Sequence, residues 1–476
     1  MRNEIRHANN ASSLRLRSIK YLHYIVTVMI FFRFWLLFRY PTGEWHVTRA
    51  FRYDIFVTLG YAFLLPWFYK TYDAYTLGYF RIRQLAFAQL LSSFFSTIII
   101  YALVSLGWLQ FHNPLVFIPM LLIQAVWNAV WSYFSTYLYY QIVKRYHTAV
   151  VYRSRNDLIR FGSISGKPVE RLFNDEKYIQ YNGTDFFEIR DQLKGYDAIF
   201  VAGVNPTLMN ALCKYCVEED VRGFFLPHIG DVIMCGAEHI KSFSTPVLSV
   251  RRAKPALEYR IVKRAFDIIA SFLGLVVLSP VMLITALLIK VYDGGPVFYK
   301  QVRLTKDGKE FEIIKFRSMR VDAEKDGVAR LSTGDKDPRI TPIGHFIRAC
   351  RFDELPQLIN ILKGEMSVVG PRPERPEIAK EYEKFLPEFA LRLQVKAGLT
   401  GYAQVYGRYN TNPYEKLEFD LLYINQMNFW TDVQLMFNTF RILFSRESTE
   451  GFEDMESWIG AEKDEVESEK GQVGVS

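Results

Sequence analysis

Cysteine is scarce: Cys213, Cys216, Cys235 and Cys350 are the whole complement of a 476-residue chain. Cys213-x-x-Cys216 has the spacing of half a structural zinc site, yet no second pair follows to complete four ligands. The two thiols lie in LMNALCKYCVEED, a helical pattern in which i and i+3 share a face. A glycine-rich phosphate turn is also missing. The first strand-like segment of the middle region, TAVVY at 148–152, runs into YRSRNDL, where a dinucleotide fold carries GxGxxG. Without those glycines the backbone cannot approach a pyrophosphate. No nucleic-acid-binding module is recognisable, and no small-residue cleavage site follows the first apolar run, which therefore does not read as a removable signal peptide.

Apolar residues are abundant and unevenly placed. Half the chain is hydrophobic and 16% aromatic. Four apolar runs precede residue 145, at 21–38, 55–69, 85–109 and 115–143, each near the length that spans a bilayer as helix. Lys and Arg cluster before the first run, between the second and third (Lys70, Arg81, Arg83) and after the fourth (Lys144, Arg145). By the positive-inside rule both ends face the cytoplasm, a setting in which disulfides are rare. Arg49 and Arg52, between the first two runs, weaken this pattern without reversing it.

Residues 147–255 alternate strand-like segments (148–152, 197–202, 222–227, 246–250) with helical ones (186–194, 205–219). That rhythm predicts a small Rossmann-like α/β domain with a parallel sheet, structural rather than cofactor-binding. The end of the chain is different again. From Glu447 onward there are ten acidic residues and two lysines, a tail of −8 on a chain of +8, so the body carries +16. The basic body suits a membrane surface and anionic substrates, and the tail reads as a solvated, disordered end.

A fifth apolar run, 266–289, is interrupted by Ser279-Pro280 and has basic residues at both ends, Lys263-Arg264 and Lys290. A mid-helix proline removes a hydrogen bond and kinks the helix. These features predict a re-entrant segment that breaks at Ser279-Pro280 and returns to its side of entry. Further on, FEIIKFRSM places Lys315 and Arg317 on one strand face as candidate phosphate ligands. The segment 433–444 reads as an amphipathic helix lying on the membrane.

Most of the chemistry sits in 352–375, FDELPQLINILKGEMSVVGPRPER. Asp353 and Glu354 open an apolar helical pattern, where orphan N–H groups and the helix dipole keep a carboxylate ionised. An ionised Asp can act as nucleophile toward phosphorus, and a carboxylate pair can hold Mg²⁺. Arg372, fixed between Pro371 and Pro373, offers a rigid fork for phosphate oxygens. In KAGLTGYAQVYGR (396–408), Gly398, Gly401 and Gly407 permit close backbone approach, with Gln404 and Arg408 as further polar candidates.

Five blocks in order, KRAFDIIAS (263–271), GGPVFYKQVR (294–303), FEIIKFRSM (311–319), 353–374 and 396–408, resemble the bacterial sugar transferases. These are the polyprenyl-phosphate glycosylphosphotransferases that initiate exopolysaccharide and O-antigen repeats. The preceding Arg348-Ala349-Cys350-Arg351 departs from the family pattern but keeps basic residues, with Arg351 beside the pair. Hydropathy, charge and the resemblance, which runs from about Lys263 to Phe444, together predict a membrane enzyme in four parts. Residues 1–146 are a transmembrane helix bundle and 147–255 the middle domain. Residues 256–446 are an α/β catalytic domain with the re-entrant and amphipathic helices, and 447–476 the tail.

The implied reaction moves a sugar-1-phosphate from a UDP-sugar to undecaprenyl phosphate in the bacterial inner membrane, releasing UMP on the cytoplasmic side. Asp353 would be the nucleophile and Glu354 a Mg²⁺ ligand. Lys315, Arg317, Arg351, Arg372, Gln404 and Arg408 would line the substrate site. A one-step transfer with Asp353 only as metal ligand is the rival chemistry. A catalytically inactive scaffold recruiting polysaccharide machinery is the rival class, for which the DE…PRP array would be superfluous. The sugar and the oligomeric state, a homo-oligomer included, stay open; nucleic acid is not an expected partner.

Overall fold

A computed structural model describes residues 2–40, 49–109, 113–143, 145–164, 172–183, 185–240, 245–321, 323, 337–407 and 412–443. The chain divides into two compact units, Met1–Leu226 and Pro227–Ser476.

The first unit opens with four helices, α1 (Arg2–Arg39), α2 (Arg49–Thr71), α3 (Ile82–Trp108) and α4 (Phe117–Ile142). Each packs on the next, and α4 closes against α1. Among the described residues, Leu14–Arg39, Ile82–Trp108, Pro114–Ile142 and a later helix, Leu257–Asp293, are long and apolar enough to cross a membrane. The second apolar run, expected as a span, does not reach that standard. Helix α2 carries a buried Asp54, satisfied by Trp35 Nε1 at 2.9 Å, Arg39 Nη1 at 2.8 Å and Tyr40 OH at 3.0 Å. Apolar side chains face outward, Phe63 and Leu106 among them, while His23, Gln89, Gln124, Asn128 and the serines of α3 are turned inward.

A four-stranded parallel sheet completes this unit, in the order β2-β1-β3-β4: β1 (Tyr146–Tyr152), β2 (Phe173–Gln180), β3 (Ala198–Ala202) and β4 (Arg222–Phe225). Helices α5 (Arg155–Ile164), α6 (Phe186–Gln192) and α7 (Pro206–Glu219) alternate with the strands. Central β3, AIFVA, is buried throughout, as a strand covered on both faces must be. Edge strand β2, NDEKYIQ in its body, is too polar for its hydropathy to announce a strand. At the turn after β1, Asp157 Oδ2 accepts from Ser154 N at 2.8 Å and Ser154 Oγ at 3.0 Å. This carboxylate also crowds Gly203 (φ 66°), where any Cβ would meet it at 2.1 Å.

The second unit begins earlier than residue 256. Helix α8 (Ile229–Cys235) and the antiparallel pair β5 (Glu238–Ile240) and β6 (Val247–Ser249) belong to it. The segment at 246–250, expected as a strand of the parallel sheet, is instead half of this hairpin. It pairs antiparallel with β5, and the chain on either side is tied to the second unit: Asn425 donates to Val232 O at 2.7 Å, and Gln394 Oε1 accepts from Ala253 N at 2.9 Å.

Helix α9 (Leu257–Asp293) follows. The hairpin β7 (Phe298–Leu304) and β8 (Glu310–Phe316) comes next, then α10 (Pro342–Ala349), α11 (Gln357–Lys363), β9 (Ser367–Val369), α12 (Pro376–Phe385), β10 (Gly398–Thr400), α13 (Tyr402–Tyr406), α14 (Pro413–Asn425) and α15 (Phe429–Leu443). Local chemistry starts several of these helices in one way. Thr341 caps α10 by accepting from Gly344 N at 2.9 Å, and Asn412 caps α14 by accepting from Glu415 N at 2.7 Å. A proline stands at the first position of each, its missing N–H costing nothing there. The core gathers Ile361, Val369, Phe389, Leu417, Leu421 and Leu435 from α11, β9, α14, α15 and the turn at Pro387–Gln394, with Met366 just before β9.

Helix α9 runs through Ser279-Pro280 without ending, so the expected break is not an interruption of the helix. Pro280 cannot donate to Val276 O, and Ser279 Oγ donates to that carbonyl instead, at 2.7 Å. A side-chain donor thus replaces the lost backbone one, and the helix continues. Glycine at 294 (φ 69°) ends it in the left-handed region. The acidic tail from 447 lies outside the described residues.

Candidate active site

The acidic pair is not a helix cap. Phe352–Glu354 form a 3-10 turn entered through Arg351, which holds the left-handed φ of 58°, and α11 starts only after Pro356. A non-glycine residue in that region is strained, and such strain collects at functional sites. The helix-dipole argument for an ionised Asp353 therefore fails. Burial and the adjacent Glu354 carboxylate raise its pKa, against the opposing charges of Lys315, Arg348 and Arg351. Its Oδ1 is buried without a hydrogen-bond partner.

Glu354 behaves in the opposite way. Burial alone would raise it, but Arg372, Lys315 and Arg351 outweigh burial and hold it well below the usual carboxylate range. Arg372 Nη2 donates to its Oε1 at 3.0 Å, and Lys315 Nζ stands 3.6 Å from the same oxygen. Burial lowers Lys315 to about 8 despite Glu354. The pair is thus split into a permanent anion and a more basic carboxylate, an arrangement that separates chemical roles.

Of the expected site residues, the structure brings together Lys315, Asp353, Glu354 and Arg372, with Arg351 at the turn. Arg317 is a correction. Its guanidinium is buried against Asp293 at the end of α9, with Nη1 to Oδ2 at 2.8 Å, and it locks the α9–β8 junction rather than facing a ligand. Lys315 and Arg317 pair with different carboxylates, Glu354 and Asp293.

Gln404 lies on α13, donating to Leu399 O at 3.4 Å, with its Oε1 buried and unpartnered. Gly398 and Gly401 do permit a close approach, but to the Gly370 backbone, whose atoms lie 2.1 to 2.3 Å from where their Cβ atoms would stand. Arg408 lies outside the described residues. Ser279 and Pro280 are in α9, as described above.

Sequence reasoning passed over two charged groups, Arg303 and Asp267, and gave Lys263 and Arg264 only a flanking role. Arg303, the last residue of a quoted block, donates to Pro373 O at 3.1 Å. Asp267 of α9 accepts from Val368 N at 2.9 Å and Ser367 Oγ at 3.1 Å, tying the apolar helix to β9. Lys263 pairs with Asp432 at 2.8 Å, and Arg264 donates to Ile361 O and Leu362 O. Lys263 and Arg264, expected to flank a membrane segment, are bound within the second unit. Family blocks pointed to Arg303 and Asp267; no local pattern distinguishes either.

A magnesium ion can be tested against the donor set. Among the described residues no three His, Cys, Asp or Glu side chains converge on one point. Mg²⁺ commonly takes only one or two protein carboxylates, with water and substrate phosphates completing its octahedron. Asp353, with its orphaned Oδ1, and Glu354 meet that description.

Residues 258–446 match the family model for bacterial sugar transferase. The chain is 38% identical over 237 residues to UDP-glucose:undecaprenyl-phosphate glucose-1-phosphate transferase of Escherichia coli (strain K12), covering 49% of each protein. It is 39% identical over 194 residues to UDP-N-acetylgalactosamine-undecaprenyl-phosphate N-acetylgalactosaminephosphotransferase of Aeromonas hydrophila, covering 40% of this chain and 45% of that protein. It is 38% identical over 202 residues to undecaprenyl-phosphate galactose phosphotransferase of Salmonella typhimurium, covering 40% and 41%. The chain therefore spans about half the length of the curated relatives it matches.

Proposed function

We propose, on the premise that residues 258–446 are a bacterial sugar transferase domain, that this chain transfers a hexose-1-phosphate from a UDP-sugar to undecaprenyl phosphate. The observation that carries the reading is the split acidic pair: Asp353 with a raised pKa and a free buried oxygen, beside Glu354 clamped by Arg372 and Lys315.

Asp353 is the nucleophile. Its Oδ1 attacks the β-phosphorus of the UDP-sugar, the β-phosphorus–oxygen bond to the α-phosphate breaks, and UMP leaves with the bridging oxygen. A sugar-phosphoryl-Asp353 intermediate remains. An oxygen of undecaprenyl phosphate then attacks the same phosphorus and expels the carboxylate, giving undecaprenyl-diphosphate-sugar. The raised pKa makes Asp353 the more basic, and so the more nucleophilic, member of the pair.

Arg372 and Lys315 supply positive charge where the diphosphate must lie, and Glu354 orients both. Mg²⁺, held by Glu354 and Asp353, would offset charge developing on the departing UMP.

The membrane arrangement follows from α9. A straight helix would separate residues 264 and 289 by about 37 Å. Yet Arg264 binds α11 at Ile361, and Ile289 packs with Phe316 at the end of β8. Asn360 and Ile314, on those same two elements, share a 3.0 Å hydrogen bond. Both ends on one compact unit favour a helix that enters and leaves the inner membrane from the cytoplasmic face.

The test is purified protein with Mg²⁺, undecaprenyl phosphate and a panel of UDP-sugars. UMP release that depends on the lipid and on one sugar is expected. No release with any of them ends this reading.

A further inference from the structure

The Pro371-Arg372-Pro373 segment poses a problem of anchorage. Neither proline has an N–H, so the segment can be fixed almost only through its carbonyls. All four carbonyls from 371 to 374 have donors. Gly398 N binds Pro371 O at 2.8 Å, Arg392 Nη2 binds Arg372 O at 2.8 Å, Arg303 Nη1 binds Pro373 O at 3.1 Å and Leu304 N binds Glu374 O at 2.9 Å.

Arg392 is itself held on several sides. Its Nε donates to Asp420 Oδ2 at 2.8 Å, its Nη1 lies 3.6 Å from Glu374 Oε1, and its guanidinium sits 4.8 Å from the Phe389 ring centroid. The Arg392 and Asp420 side chains are 3% and 1% exposed. Neither charge can meet a ligand from solvent, so their effect passes through the carbonyl they hold.

We infer that Arg392, held by Asp420 of α14, is a positioning residue that fixes the Arg372 backbone and so aims its guanidinium at the acidic pair. An arginine suits the place because its planar fork spans an acid and a carbonyl in one fixed geometry, which a flexible ammonium holds less rigidly. This inference rests on the transfer reading above, in which Arg372 grips the diphosphate.

Full-length protein in four forms tests it: wild type, Arg372→Ala, the charge-balanced Arg392→Met/Asp420→Leu, and all three substitutions together. Replacing both members of a buried ion pair by apolar side chains commonly preserves folding. The double variant is expected to melt within a few degrees of wild type while kcat falls by roughly 30- to 100-fold, the scale set by misplacing a binding group. Adding Arg372→Ala is expected to cost little more, because both changes disable one guanidinium. Arg392→Lys, which keeps the charge pair and loses the rigid fork that fixes the carbonyl, should lose activity in the same direction, by less than the double variant.

A folded double variant within threefold of wild type overturns the inference, and so does a loss that multiplies fully with that of Arg372→Ala. Wild-type protein that releases no UMP from any UDP-sugar overturns the transfer reading and this inference with it.

Discussion

At the scale of single residues the site is a problem in charge placement. Asp353 and Glu354 are neighbours in sequence with opposite pKa shifts: burial prevails at Asp353, while Arg372 and Lys315, paired with Glu354, outweigh burial there. Asp353→Asn keeps the shape and removes the nucleophile. Turnover should fall roughly a thousandfold or more, the scale at which removal of an attacking group is felt. Wild-type protein incubated with UDP-sugar labelled in the sugar should retain label after denaturation, and the variant none. Substantial turnover by the Asn form would leave only the one-step mechanism.

Glu374 offers a separate residue-scale test. Burial would raise it, but Lys416, Arg392 and Arg303 outweigh burial and hold it at about 2, against an ordinary 4.5. A depressed carboxylate contributes stability that is present above its unfolded pKa and lost as pH falls toward its folded one. The window is therefore pH 4.5 down to 2, and the contribution about 3 kcal/mol. Glu374→Gln should lower the melting temperature at pH 7 and flatten its fall below pH 4.5. Parallel melting curves across that window in both forms would contradict this.

At the scale of elements, α9 carries the most consequence. Val276 and Val277 are exposed at its centre, whereas Asp267, Ser271, Thr285 and Ile289 are buried toward its two ends. An apolar middle between two anchored ends suits a helix dipped into lipid and held from one side. Replacing Ser279 and Pro280 with Leu leaves about 22 unbroken apolar residues, enough to span a bilayer. That variant should straighten, carry its catalytic unit across the membrane and lose activity. Single cysteines placed at 260 and 300 in intact cells report the sidedness. In the otherwise unmutated protein neither should react with an impermeant reagent from outside. Labelling at 300 would mean that the helix crosses.

At the scale of the molecule, the division at Leu226 and Pro227 leaves every contact of the site described here between residues 263 and 432. A chain beginning at Pro227 should therefore fold and retain UMP release within about tenfold of the full protein, in keeping with a unit that has its own core. A folded fragment without activity would assign the first unit a part in catalysis. Choice of sugar belongs to this scale as well. Relatives named for glucose, N-acetylgalactosamine and galactose match at 38, 39 and 38% identity, so overall similarity does not select among them. The pocket contacts that discriminate one hydroxyl are too few to move that figure.

The sequence by itself determined the helices of the first unit, most of the parallel sheet and the acidic pair with its arginine. Each rests on a local cause: length and hydropathy, a strand–helix rhythm, or residues adjacent in one motif. It did not disclose edge strand β2, whose residues are polar, nor the reach of the second unit back to Pro227, which depends on Asn425 meeting Val232. It misjudged the surroundings of Arg317 and of Asp353 for one reason. Burial and ion pairing are set by what arrives from elsewhere in the chain, here Asp293 for the first and Lys315 and Arg372 around the second's neighbour. The grip of Arg392 and Asp420 on Arg372 joins residues 20 and 28 positions apart through a carbonyl that every residue possesses. No side-chain pattern records such a contact, and only the tertiary structure could decide it.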